Sequence, residues 1–318
     1  MASSSKKVII AALLGNALIA ITKFFAAAWT GSSAMLSEGI HSLVDTGNQV
    51  LLLYGMKRAQ KPPDAQFPFG HGKEIYFWSF VVAILIFAVG AGVSIYEGIL
   101  HILDPQPIED PFVNYLVLGA AMLFEGAAWY FAFREFTRAK GKWSYVEAVQ
   151  RGKDPTLFVV LFEDSAAMLG LIVAFLGIWV GQVTGNPYLD GTASVVIGLI
   201  LGGTAVWLAY ETKSLLIGES AHDVVVEGIR ELVGNHPQVS HVNEVLSMHM
   251  GPDFVLVNVS VDFHYTASAT EVEEAVARMD RAIKERYLRV KRVFIEGEAR
   301  RYYLQQAQQQ AVDPGPQA

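Results

Sequence analysis

Six apolar runs, each long enough to cross a hydrocarbon core, fill the first two thirds of the sequence and leave it little choice of fold. They cover roughly Val8–Trp29, Ser33–Met56, Ile75–Leu103, Phe112–Phe136, Pro155–Val183 and Tyr188–Leu216. A hydrocarbon core about 30 Å thick needs about 20 helical residues at about 1.5 Å each. Inside it a helix satisfies its own backbone hydrogen bonds, whereas an open strand does not. Residues 1–216 are therefore expected to form a membrane α-helical domain of six transmembrane helices. The short connections are informative as well. Lys6 and Lys7 precede the first run, and Lys57, Arg58, Lys61 and Lys73 follow the second. Arg134, Arg138, Lys140, Lys142, Arg151 and Lys153 gather at and after the end of the fourth. The alternate connections, Thr30–Ser32, Asp104–Pro111 and Gly185–Pro187, hold no Lys or Arg. The positive-inside rule then places both termini in the cytoplasm. The run after Lys7 lacks a small-residue cleavage site and reads as a retained span, not a signal peptide. With no transit segment recognisable, a bacterial inner (plasma) membrane is expected.

After the sixth run the composition changes. Residues 217–303 read as a cytoplasmic α/β domain with two layers. Val225, Ile229, Leu232 and Val233 form a helical stripe closed by Gly234 and Pro237, and Val245–Met250 is a short strand candidate. Val255, Val257, Val259, Val261 and Phe263 alternate with Asn258, Ser260, Asp262 and His264, the period of a half-buried strand. Ser268 and Glu271 suit a capping box for a helix buried through Val272, Ala275, Val276, Met279 and Ile283, and Val290–Glu296 is a last strand. The order helix-strand-strand-helix-strand predicts a sheet with helices on one face. Residues 304–318, rich in Gln, Ala and Pro, are expected to be disordered.

Charge and composition narrow the chemistry. The chain has no cysteine, which excludes disulfides and thiolate metal sites. Its net charge of −7 comes with no basic stripe, so no nucleic-acid partner is expected; the expected surrounding is lipid. Charged groups at membrane depth are costly and usually mark an ion or substrate path. His41 and Asp45 are four apart and share one face of the second run. An imidazole and a carboxylate are ordinary ligands for a divalent cation, although the same pair could be a packing contact between helices. Asp164, in the fifth run, is the natural third ligand. Glu163 precedes it by one residue, about 100° around the helix, so the two cannot easily face one point. Glu125 is central in the fourth run. Asn48 and Gln49 continue the polar face one turn beyond Asp45, as a path or relay would. Glu97 reads as an interfacial residue, and Lys23 as a partner for an acid or a snorkelling cation. Between the second and third runs, Asp64 and His71 form a candidate loop metal site, or a structured turn. In the cytoplasmic domain His249, His264, Glu296 and Glu298 are weaker candidates, since such residues more often form a solvated face.

Asn16, Lys23, Thr30-Gly31-Ser32, His41-x-x-x-Asp45 and Phe69-Gly70-His71-Gly72-Lys73, followed by an α/β domain, resemble the cation diffusion facilitator family over nearly the full chain. The resemblance implies efflux of a divalent metal cation in exchange for protons. It also implies a homodimer, a metallochaperone-like cytoplasmic domain and a tetrahedral site with two ligands from the second span and two from the fifth. His41, Asp45 and Asp164 match that pattern. Val160 stands where the family commonly has His or Asp, which leaves Glu163, a water or a backbone group as the fourth donor. Glu296 and Glu298 replace a His and an Asp found in some relatives. The expected substrate is zinc, with Mn, Fe, Co or Cd possible at nitrogen and oxygen ligands; an oxygen-rich donor set, harder than a His-rich one, shifts weight toward Mn, Fe or Co. No organic cofactor and no enzymatic activity are expected. The alternative readings are an uncoupled channel and a membrane metal sensor or scaffold.

Overall fold

The computed structural model describes residues 2–105, 111–150 and 155–312. They form two compact units: one from Met1–Pro62 and Lys73–Ser214, the other from Pro63–Gly72 and Leu215–Ala318. Arg151 and Lys153, part of the Asp104–Pro111 connection, and the last residues of the tail lie outside the described residues.

The first unit is helical: α1 (Ala2–Thr30), α2 (Ser33–Ala59), α3 (Glu74–Leu85), a π-helical turn (Ile86–Ala91), α4 (Gly92–Leu103), α5 (Pro111–Ala139), α6 (Tyr145–Gln150), α7 (Pro155–Thr184) and α8 (Tyr188–Ile217). Among the described residues, Glu74–Leu103, Phe112–Arg138, Phe158–Thr184 and Tyr188–Ile217 are long and apolar enough to cross a membrane. That is four of the six runs read from the sequence. α1 and α2 have 29 and 27 residues, about 40 Å of rise each. α2 falls short on composition because Glu38, His41, Asp45, Asn48 and Gln49 lie along it, all buried. Gly31, at φ 71, makes the left-handed turn between α1 and α2. Ser32 then caps α2 by accepting from the Met35 amide at 3.2 Å. Pro155 opens α7, where its missing N–H leaves no bond unmade. The π turn inside the third run and the short helix α6 were not legible, since neither changes the apolar period.

The second unit holds α9 (Asp223–Gly234), β1 (Val239–Gly251), β2 (Phe254–Phe263), α10 (Ala269–Arg286), β3 (Val290–Gly297) and α11 (Arg300–Val312). The sheet order is β1-β2-β3, with β1 antiparallel and β3 parallel to β2. A parallel neighbour needs a crossover, and α10 supplies it. Val255, Val257, Val259 and Val261 are buried against Ile229 and Val233 of α9 and Ala275, Met279 and Ile283 of α10, so both helices cover one face. The Ser268–Glu271 capping box is formed. β1 begins six residues before the expected strand because register shifts at Val239/His241 and Val242/Glu244 break its alternation. The tail corrects the expectation of disorder from residue 304: α11 runs to Val312. Gln, Ala, Leu and Arg are good helix formers, and no Pro intervenes before residue 314.

The segment Pro63–Gly72 packs with this second unit, although the sequence places it inside the membrane domain. Phe69 meets Phe294 edge-on at 6.5 Å, and Gly72 lies so close to the Met250 carbonyl that no Cβ would fit. Replacing Ile283, which is fully buried, with Ala should lower the stability of this unit by about 2–5 kcal/mol. The exposed Glu285→Ala control should change it by less than about 0.5 kcal/mol. Denaturant titration followed by circular dichroism reads both.

Candidate functional site

Spacing along α2 builds the site. Glu38, His41, Ser42, Asp45, Asn48 and Gln49 recur every three or four residues and are all buried, so they form one polar stripe on an otherwise apolar bundle. His41 Nδ1 lies 3.3 Å from Asp45 Oδ1, yet the angle is too poor for a hydrogen bond. Both ring nitrogens of His41 and Asp45 Oδ1 are left buried without a hydrogen-bond partner. Unmade bonds of this kind cost about 1–3 kcal/mol each, and in a native bundle they call for an explanation. A bound cation would satisfy them.

From α7 come Glu163 and Asp164, both buried. Asn48 Nδ2 donates to Glu163 Oε1 at 2.7 Å, and the Glu163 and Asp45 carboxyls interact directly. Asn48 thus steers Glu163 onto the α2 stripe, the orientation that the helix angle seemed to deny it. Asp164 is buried and makes no hydrogen bond among the described residues; Glu163 and Glu125 are its electrostatic neighbours. Among the described residues no three ligating side chains meet as a preformed metal cluster. The protein holds His41 beside Asp45 and Asp45 beside Glu163, with Asp164 on the next face of α7. Glu125 is also buried, with Oε1 unpartnered, and it acts electrostatically on Glu38, Asp45, Glu163 and Asp164. Gln49 Oε1 is likewise unpartnered.

Sequence reasoning did not single out Glu38. Lys23, fully buried, donates to Glu38 Oε2 at 3.0 Å and to Ser42 Oγ at 2.8 Å. Gly170 of α7 leaves room for the other Glu38 oxygen. The signal was available: an acid three residues before His41 on the same face, with a lone lysine in the preceding run. Asp190 and His101 were missed too. Asp190 lies in the first turn of α8 and looks like an end residue, but it is buried.

The loop candidates come together. Asp64 Oδ2 is 3.0 Å from His71 Nε2, while Asp64 Oδ1 accepts from the Gln66 and Phe67 amides at 2.9 and 2.7 Å. Gly70, at φ 83, provides the turn that returns His71 to Asp64. The candidates in the α/β domain do not come together. His249 pairs with Val255 at one end of β2, while His264 follows its other end, about 30 Å away at strand rise. Glu298 is used by Ser260 Oγ at 3.1 Å, and Glu296 is exposed.

A family model for the cation efflux transmembrane domain matches residues 9–217. The chain belongs to the cation diffusion facilitator family. It is therefore an integral membrane protein of a family of transporters, not enzymes. It is 38% identical over 260 residues to a mitochondrial proton-coupled zinc antiporter of Xenopus laevis, covering 81% of this chain and 46% of that one. The chain thus spans about half the length of that relative. It is 22% identical over 297 residues to a manganese efflux system protein of Bacillus subtilis, covering 92% and 95%. It is also 25% identical over 279 residues to a cation-efflux pump of Escherichia coli, covering 85% and 87%. The mitochondrial name of the animal relative lends no support to the bacterial inner membrane expected from the sequence.

The Asp64–His71 hydrogen bond, helped by the Phe67 amide, holds the Asp64 carboxyl below its ordinary value of 3.8. A depressed folded-state pKa contributes stability above the unfolded value, and that contribution is lost as pH falls through the folded one. His71→Ala should therefore return the Asp64 titration, followed by carbon NMR, toward 3.8. An unchanged titration in H71A would show that His71 does not hold this carboxylate.

Proposed function

We propose that this chain exports a divalent cation, zinc foremost, in exchange for protons. In this reading six helices cross the membrane, both termini face the cytoplasm, and two copies form a homodimer. One observation carries it: His41 is buried with both ring nitrogens unpartnered, beside an Asp45 that also touches Glu163. The relatives' names, a zinc antiporter and a manganese efflux protein, agree with a cation of this class. Crossing by α1 and α2 is supported by their length and by their packing on each other and on α3, α5 and α7.

In this mechanism a cation entering from the side of Lys57 and Arg58 meets Asn48 and Gln49, then binds between His41, Asp45 and the α7 acids. Glu163 supplies the donor that Val160 cannot. Asp164 joins when α7 turns or shifts toward α2, which closes the coordination and carries the bundle toward release. Ligands bind metal only when deprotonated, so protons and the cation compete for the same donors. Protons arriving from the far side therefore displace the cation and reset the site. A donor set of one nitrogen and several oxygens is harder than a histidine-rich one, which makes manganese the alternative cargo.

Uptake of radioactive zinc into inside-out vesicles with an imposed pH gradient tests this reading. Asp45→Ala and Asp164→Ala should abolish uptake. Glu163→Gln should raise the half-saturating zinc concentration by about 10- to 100-fold, the size usual for a disturbed metal shell. Full transport by both alanine variants would refute the site. Uptake of manganese but not zinc would change the cargo and leave the mechanism intact.

A further inference from the structure

At the Gly31 end of the helical unit, one carboxylate ties two helices together. Asp190, buried in the first turn of α8, accepts from Ser32 Oγ at 2.6 Å, the Ser33 amide at 2.6 Å, Ser33 Oγ at 3.0 Å and the Ala34 amide at 3.4 Å. All four donors belong to the start of α2. Ser194, one turn further along α8, continues the seam to Ser33 at 3.0 Å and Ser37 at 3.1 Å. Ser37 is one turn from His41, so the seam begins where the cation site ends.

The other contact of α8 is of a different kind. Gly98 of α4 lies against the Gly191 carbonyl and Val195, and Gly191 and Gly198 of α8 lie against α4 backbone. No Cβ would fit at any of these glycines, so α4 and α8 are locked by shape. The α2–α8 seam has no such interlock at Asp190. It is held by hydrogen bonds that water can replace when the helices part, and an aspartate so held is buried only while they are closed. His101 of α4, 3.7 Å from Asp190, is carried with α8.

We propose that Asp190 is a positioning residue for transport, a latch that closes the passage between the cation site and the Gly31 end of α2. With the latch made, the site communicates only with the opposite end. For release toward the Gly31 side, α2 must leave Asp190, while α4 and α8 stay together. The proposal rests on the export reading for its physiological meaning, but the latch itself is a statement about access.

The absence of native cysteine gives a clean reporter. Ala34→Cys places a thiol in the closed seam, where Ala34 is fully buried. The protein is reconstituted in vesicles, and a membrane-impermeant maleimide is applied from the Gly31 side. Labelling of A34C should be slow. It should accelerate about tenfold or more with Asp190→Asn, which replaces one of the two acceptor oxygens by a donor that faces donors. Ser33→Ala, which removes a donor from the other side, should also accelerate it. Zinc affinity at equilibrium should stay within about twofold while coupled turnover falls, a split that misfolding would not give. Unchanged labelling in both variants overturns the latch. If the protein with native Ala34 moves neither zinc nor manganese, the export reading fails, and the labelling rates still decide the latch.

Discussion

Lys23 has no solvent exposure, and its place in the bundle is tolerable only because Glu38 lies 3.0 Å away and Ser42 2.8 Å away. Removing one partner of such a buried pair typically costs about 3–5 kcal/mol, because the other charge is left without compensation. The pair fixes α1 against α2 and, through the room at Gly170, sets how α7 approaches both. The polar stripe of α2 is oriented by that packing. With Glu38 turned toward Lys23 and Gly170, the i+3 and i+7 positions bring His41 and Asp45 to the same face, and Asn48 follows at the next turn. The site therefore inherits its geometry from an ion pair that is itself no part of the cargo shell.

Two kinds of buried polar group result. Lys23 Nζ, Glu38 Oε2, Asn48 Nδ2 and the Asp190 carboxylate have hydrogen-bonded partners in the protein, and they hold helices. Both nitrogens of His41, Glu38 Oε1, Asp45 Oδ1, Asn48 Oδ1, Gln49 Oε1 and Glu125 Oε1 have none. The first kind builds a frame; the second is incomplete without a cation, protons or water. A site that completed itself with protein donors would bind nothing. The partial assembly, with Asp164 still apart, is suited to a transporter that must also let its cargo go.

Much of this was legible in the sequence. Among the described residues the helices of the first unit begin and end within a few residues of the apolar runs at most ends, because apolar length is a strong signal. β2 and α10 were legible from clean periods of two and of three to four. His41, Asp45 and Asp164 stood out as candidates because such groups are costly in a membrane run, while the helix angle left Glu163 unplaced. What could not be read depends on neighbours remote in sequence. Glu163 reaches Asp45 because Asn48, 115 residues away, pulls on it. Asp190 looked like a helix-end acid until Ser32 and Ser33, more than 150 residues earlier, proved to be its donors. Pro63–Gly72 sits between two membrane runs, yet the fit of Gly72 under the Met250 carbonyl assigns it to the other unit. The candidates in the α/β domain are kept apart for a similar reason: strand register puts His249 and His264 at opposite ends of β2.

X-ray absorption at the zinc edge tests the central claim most directly. The protein would be loaded with one equivalent of zinc in a background where Asp64 and His71 are both replaced by alanine, so that the loop holds none. Four light-atom donors at about 2.0–2.2 Å, with the multiple-scattering signature of a single imidazole that vanishes in His41→Ala, are the predicted spectrum. A six-oxygen hydrated shell, or a spectrum with two or more imidazoles, would contradict it.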